Sequence, residues 1–580
     1  MPGLRLILAL LLALTAAVPR AGAEVPANPP LAMGLNGITD WTAAQPFIDV
    51  MKTARPWIGH PPGQWGGWYH EDLAAGGYLD PDGWPLAIPP ELTGIATRSL
   101  TDRPEDATAT AGRYRLTYQG EGSFTLDGRV QNLRTGRGLR WFDFSPGEGF
   151  VLLTITASDP RRVGNPIRDI VVVKEANIPA YEAGEMFNPD WLARIEGLRA
   201  VRFMDWMKTN DSAQSDWAAR PRVGDYTYAR IGAPVEVMLA LAARIGADPW
   251  FTLPHLASDD YMLRFAETVR GGLAPGLKAY VEFSNEVWNW QFGQARWAED
   301  QGKARWGREH AWVQFYAVRA AQMARIWREV FGDQAADRLV TVIATQTGWL
   351  GLEADLLNAP LWRAEDPAHR PPAEDFDAYA VTGYFGGQLG SDAKAPAVKA
   401  WLAASLAAAE AGAQGLAGAE REAYLAAHRY DLATRTAARE LRDGSVTGRG
   451  DDSLATLVGR LIPYHAEVAR AHGLDLIMYE GGTHVVGLGT WVDDKDLTGF
   501  FAHLNYSPAM GDLYRDLLTG WRAAGGTLFN AFVEVAAPGK WGSWGALRHL
   551  SDDNPRWQAL DRFNRTTEAW WEDRRLRVRE

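Results

Sequence analysis

The sequence predicts an α/β fold, a (β/α)8 TIM barrel with an inserted small β-sandwich. Three observations predict it. From Asn188 onward, helical and strand-like patterns alternate to the end of the chain, as a parallel sheet with crossover helices requires. Two of the apolar runs stop abruptly in polar residues, in the way barrel strands open onto a functional mouth. Between residues 90 and 175 the alternation gives way to short strand-like runs set apart by turn residues.

Taken in order, residues 1–23 read as an export signal. Arg5 supplies a positive start, Leu6 to Val18 an apolar core, and Ala21-Gly22-Ala23 a small-residue cleavage site. The chain is therefore expected outside the cytoplasm, secreted or periplasmic, with no membrane partner after cleavage. Residues 24–89 begin the barrel. They hold strand one (Leu31 to Trp41), a first helix (Pro46 to Ala54, with Phe47, Val50 and Met51 at helical spacing) and an aromatic loop carrying Trp57, Trp65, Trp68, Tyr69, Tyr78 and Trp84. That loop reads either as a sugar platform at a cleft rim or as a loop packed on its own rings. Asp80-Pro81-Asp82-Gly83 begins like a calcium loop but lacks the later ligands, so no metal is expected.

Residues 90–175 form the expected sandwich, inserted after the first helix. Residues 176–580 complete the barrel. Strand two is Ala200 to Trp206, strand three Trp250 to His255, strand four the start of Lys278 to Trp290, and strand five Arg338 to Gln346. Strand six is Asp377 to Phe385, strand seven Leu474 to Glu480 and strand eight Thr527 to Glu534. Helices are expected at Pro189–Gly197, Val235–Ile245, Tyr261–Val269, Ala311–Phe331, Leu454–His472 and Met510–Ala524. An Ala- and charge-rich helical crossover covers 395–445.

Composition narrows the function. With 580 residues, 47% of them apolar, the chain can bury a large core. A net charge of −12 argues against nucleic acid as a partner. The chain has no cysteine, which removes disulfides, thiolate metal sites and a lipidated cysteine. Its 26 tryptophans suit stacking on sugar rings, although tryptophan is also a core residue. Gly-x-Ser-x-Gly and phosphate-loop motifs are absent, and His70-Glu71 lacks the second histidine of a zinc-protease helix.

Strand four ends in Ser284-Asn285-Glu286, and strand seven in Tyr479-Glu480-Gly481-Gly482. The two strands lie opposite one another in an eight-stranded barrel, so both carboxylates can face one mouth. Glycoside hydrolysis needs such a pair. This arrangement resembles the clan A retaining glycoside hydrolases, the "4/7" barrels with Asn-Glu after strand four and Glu after strand seven. The string SNEVWN is also similar to one in secreted bacterial proteins, some of which carry cellulose-binding modules.

By that resemblance Glu286 is the acid/base, Glu480 the nucleophile and Asn285 a ligand of the sugar 2-hydroxyl. Arg202 and Tyr384 are expected beside Glu480, and Trp541 or Trp544 beneath the cleaved sugar. His255 is either a site histidine or a structural one, and Trp288 and Trp290 either line the cleft or pack under it. Glu534-Val535, at the end of strand eight, departs from the pattern. The resemblance implies a β-linked polysaccharide or oligosaccharide substrate and no cofactor. The alternative reading is a carbohydrate-binding protein that keeps the barrel only for its aromatic cleft.

Overall fold

The computed structural model describes residues 26–574; the expected export signal lies outside them. β1 (Leu31–Gly34) opens a barrel that resumes with β10 (Ala200–Arg202), β11 (Asp248–Leu253) and β12 (Ala279–Phe283). It continues with β13 (Leu339–Ala344), β14 (Ala378–Phe385), β15 (Asp475–Thr483) and β16 (Phe529–Ala531). All neighbours in this ring are parallel, and β1 pairs with both β10 and β16, so the barrel closes. Each of the eight expected strands is present; most are shortened at their ends, but β11 starts two residues before the expected Trp250 and β15 runs on three residues past Glu480.

Alternation along the strands sorts the core. Ala32, Ala200, Trp250, Tyr280, Ala380 and Tyr479 fill the barrel interior. Their neighbours Met33, Val201, Phe251, Val281, Val381 and Met478 face the surrounding helices. Small alanines on some strands make room for the large rings on others, which fills the interior without a pore. Helices at Val235–Ile245, Asp259–Gly272, Trp312–Phe331, Ile462–His472 and Pro508–Ala523 cover the outside. The 395–445 crossover folds as three helices, Ala395–Gly412, Gly418–His428 and Asp431–Asp443.

Between β1 and β10 the chain builds two four-stranded antiparallel sheets. One is ordered β2 (Ile58–His60), β3 (Gly94–Ser99), β8 (Val151–Ser158), β5 (Gly122–Gly128). The other runs β6 (Gln131–Gly136), β7 (Leu139–Phe144), β4 (Gly112–Gln119), β9 (Arg168–Lys174). Their shared core holds Tyr114, Phe142, Leu116 and Ile155.

Three details differ from the sequence reading. The stretch Pro46–Ala54 is not a helix but a single 3-10 turn, Val50–Thr53. It is held by Asp49 Oδ1, which accepts the N–H groups of Met51 and Val172 at 3.0 and 2.9 Å. The barrel helix that precedes β10 is Pro189–Ile195, so the sheets interrupt the chain before that helix. Strand β2 also precedes residue 90, because the aromatic loop belongs to the sheets. Trp57 and Trp84 are buried there, and Trp57 stacks on Tyr226 at 5.1 Å. Tyr226 arrives from the loop after β10 and donates no room to a ligand: its hydroxyl accepts the Trp57 backbone N–H at 3.0 Å. The loop thus packs on its own rings, with only Trp65 and Tyr69 exposed. Asp80 Oδ1 closes a turn by accepting the N–H groups of Asp82 and Trp84.

Candidate active site

A cleft of about 910 Å³ opens at the C-terminal ends of the barrel strands, and both glutamates line it. β12 delivers Glu286 through a tight loop. Ser284 has φ 63° and Glu286 φ 41°, so two non-glycine residues in the left-handed region flank Asn285. Such backbone is costly for residues with a Cβ and is held by its surroundings. Here Ser284 N–H donates to the Leu253 carbonyl at 2.7 Å, and Gln294 Nε2 donates to the Asn285 carbonyl at 2.8 Å.

β15 delivers Glu480 by another device. Val381 pairs with Met478 but Thr382 pairs with Glu480, so Tyr479 is an extra residue on this strand. A bulge of this kind re-aims side chains. Tyr479 points into the barrel interior while Glu480, its immediate neighbour, lines the cleft.

Beneath the cleft, Arg202 ties the parts together. Its Nη1 donates to Glu480 Oε1 at 2.8 Å, and Nη2 donates to Glu282 Oε2 and Asn285 Oδ1, each at 2.9 Å. Trp250 Nε1 adds a bond to Glu282 Oε2 at 3.0 Å. The Tyr384 hydroxyl donates to Glu480 Oε2 at 2.9 Å, so both oxygens of this carboxylate are held. Glu286 has different partners. Tyr479 donates to its Oε1 at 3.2 Å and Asn289 Nδ2 to its Oε2 at 2.9 Å, while Trp288 Nε1 donates to the Tyr479 hydroxyl at 3.2 Å.

These partners separate the two carboxyls. Burial and then the charge of Glu480 push the Glu286 carboxyl up to about 8. Burial also raises Glu480, and the Arg202 cation and the hydrogen bonds of Tyr384 and Arg202 offset that rise only in part. The pair titrates together, with Glu286 the group that keeps its proton. Arg202 is held protonated beyond its ordinary range by Glu282 and Glu480 against the effect of burial.

The expected site residues fall into two groups. Glu286, Glu480, Asn285, Trp288, Tyr384 and Trp544 line the cleft, and Arg202 lies directly under it. Trp544 packs between Tyr384 and His484, with ring centroids 6.0 and 5.1 Å away. Trp541 does not line the cleft; it is 68% exposed, with Lys540 Nζ over its ring. His255 is buried away from the cleft, edge-on to Trp297 at 5.4 Å.

Sequence reasoning passed over Glu282, Tyr479, Asn289 and Asp205. Glu282 had a signal, a lone charge in the apolar strand Ala279–Phe283 at the interior-facing parity of Tyr280. Asp205 lines the cleft, and burial followed by the charge of Glu480 raises it to about 7.

No family model matches this chain, and no curated protein does. Among solved structures, a fungal β-1,4-galactanase shares 10% identity over 67% of this chain and 97% of its own, with a TM-score of 0.33. A Bacteroidetes-affiliated GH5 cellulase linked with a polysaccharide utilization locus shares 11% over 65% and 85%, with a TM-score of 0.34. A GH5-4 broad-specificity endoglucanase from Bacteroides salanitronis shares 12% over 65% and 85%, with a TM-score of 0.31. The fold assignment rests on the closed order of eight parallel strands.

Proposed function

We propose that this protein is an exported retaining glycoside hydrolase acting on a β-linked polysaccharide or oligosaccharide. The observation that carries the reading is the opposite treatment of two glutamates in one cleft. Glu480 has a cation and a hydroxyl donor on its oxygens, which favour a carboxylate. Glu286 is kept protonated at neutral pH by burial and by its charged neighbour.

In this reading a Glu480 oxygen attacks the anomeric carbon as the glycosidic C–O bond breaks, and the Glu286 proton passes to the departing oxygen. Water then attacks the glycosyl–enzyme ester. Glu286 takes the water's proton, and Glu480 leaves as a carboxylate. Asn285 accepts from Arg202 and gives one amide hydrogen to Asn210 Oδ1 at 3.1 Å, which leaves its second amide hydrogen for a sugar hydroxyl.

The test begins with a panel of polysaccharides and aryl glycosides, with product analysis. Glu480→Ala should abolish turnover and be partly rescued by azide, giving a glycosyl azide of inverted configuration. Glu286→Ala should lose most activity on the polymer yet keep much of it on an aryl glycoside whose leaving group needs no proton. Because Glu286 must hold its proton, kcat/KM should fall as pH rises through about 8, and this limb should vanish in Glu286→Ala on the activated substrate. If both alanine variants hydrolyse the polymer at the wild-type rate, neither glutamate is catalytic; if the wild-type chain hydrolyses nothing on the panel but binds a polymer, the carbohydrate-binding reading takes its place.

A further inference from the structure

A second hollow, of about 720 Å³, adjoins the cleft and shares part of its wall: Trp288, Asn289, Gln291, Gln346 and Gly348 line both. The new wall is Trp290 and Trp349. These indoles are 42% and 47% exposed, far more than the tryptophans of the core. They are not loose. Trp312, at the start of the helix Trp312–Phe331 and only 5% exposed, is wedged between them with ring centroids 5.0 Å from Trp290 and 5.8 Å from Trp349. Three elements, the loop after β12, this helix and the loop after β13, thus hold two apolar planes against water. Fixing them in advance lowers the entropy cost of binding anything flat and apolar on one side.

The lining also states what that ligand is. Apart from one glycine it consists of indoles and side-chain amides, with no charged residue. Indole faces suit the C–H faces of pyranose rings, and amides suit hydroxyl groups, each being both donor and acceptor. An acidic polymer would find no cation there.

The position fixes the polarity. Asn289 lines both hollows and holds Glu286 Oε2 at 2.9 Å, whereas Glu480, Tyr384 and Trp544 line only the first. The platform therefore lies on the Glu286 side of the cleft. An acid protonates the departing oxygen, so the chain segment beside it is the leaving group. We infer that Trp290 and Trp349 form a platform for two or more sugar units of a neutral polysaccharide on its leaving-group side, which makes the substrate a chain running past the cleavage point rather than a short terminal glycoside. The polarity rests on the hydrolase reading above; the platform itself does not.

The test uses the full chain. Affinity electrophoresis of Glu480→Gln through gels containing galactan, barley β-glucan or galactomannan should show retardation by at least one, and none by polygalacturonate. Adding Trp290→Ala and Trp349→Ala should weaken that retardation about tenfold or more, as expected for losing two stacking rings, while Trp290→Phe with Trp349→Phe should keep most of it. In the otherwise wild-type chain, the alanine pair should lower the ratio of polymer to aryl-glycoside kcat/KM by a similar factor. Retardation that ignores the tryptophans, retention by polygalacturonate, or no retardation by any polymer would overturn the platform. Tryptophan-dependent retardation in a chain that hydrolyses no polymer or aryl glycoside would keep the platform and overturn the hydrolase reading.

Discussion

Arg202 is buried with Glu282 and touches Glu480 and Asn285 as well, so one guanidinium serves three site residues. Its planar fork suits that task; a lysine could not replace it. Removing one member of a buried ion pair leaves an uncompensated charge, which typically costs about 3–5 kcal/mol. Arg202→Met should therefore destabilise the protein by about that amount and abolish turnover. The double variant Arg202→Met, Glu282→Met removes one orphaned carboxylate and should regain part of the stability but no activity. Denaturant titration read beside kinetics checks both. If the double variant recovers turnover, Arg202 does not act on Glu480. Arg202 was legible through the resemblance, which places an arginine near the end of strand two beside the nucleophile. Its partner Glu282 was not singled out, because the apolar frame of its strand hid the inward parity. Of the two roles open for His255, the structural one fits its place: it follows β11, but its ring packs edge-on to Trp297.

The eight barrel strands were readable from apolar runs and turn residues, since strands buried on both faces carry a continuous apolar signal. What pattern could not supply is conformation between elements. The two glycines after Glu480 are required by the protein's own packing: a Cβ on Gly481 would meet Met478 Sδ and one on Gly482 would meet the Tyr514 hydroxyl. The first helix was misread because Phe47, Val50 and Met51 have helical spacing for another reason: they pack against different cores, Phe47 with the barrel and the others with the sheets. The loop after β12 leads to a prediction. Ser284 is left-handed at φ 63°, and its buried hydroxyl has no hydrogen-bond partner among the described residues. A residue with a Cβ costs about 1–2 kcal/mol there, and the unpaired hydroxyl adds to it. Glycine removes both costs while losing some entropy in the unfolded chain. Ser284→Gly should raise stability by about 1 kcal/mol in denaturant titration; a loss of stability would show that the loop is not strained at this position.

Buried carboxyls, within the sheets and within the barrel, hold loops in place beside the apolar packing. Asp49 links the 3-10 turn to β9 through the Val172 N–H, and burial raises its carboxyl to about 6. Glu534, after β16, accepts the Asn36 N–H at 2.7 Å and Trp191 Nε1 at 3.2 Å, and so closes the barrel's last strand onto the loop after β1 and onto the helix Pro189–Ile195. Burial raises it to about 7. Asp205 shifts the same way. A carboxyl with a raised pKa in the folded state binds its proton more tightly there than in the unfolded chain. Its contribution to stability is complete below the unfolded value, near 4.5, and is lost as pH climbs through the folded value. For Glu534 that window runs from about 4.5 to about 7, and at about 1.4 kcal/mol per unit the loss is about 3 kcal/mol. Asp552 works in the other direction, being lowered to about 2 by Arg548 and backbone donors against its burial, so it withdraws stability only below its unfolded value near 3.8. The protein should therefore be most stable near pH 4–5 and lose stability steadily toward neutrality. Glu534→Gln keeps an acceptor for the Asn36 N–H and cannot titrate. Its denaturation midpoint should fall less steeply between pH 4.5 and 7 than that of the wild type, by about the amount assigned to Glu534. An unchanged slope would mean that Glu534 is ionised in the folded protein and that its two donors, not a retained proton, hold it in place.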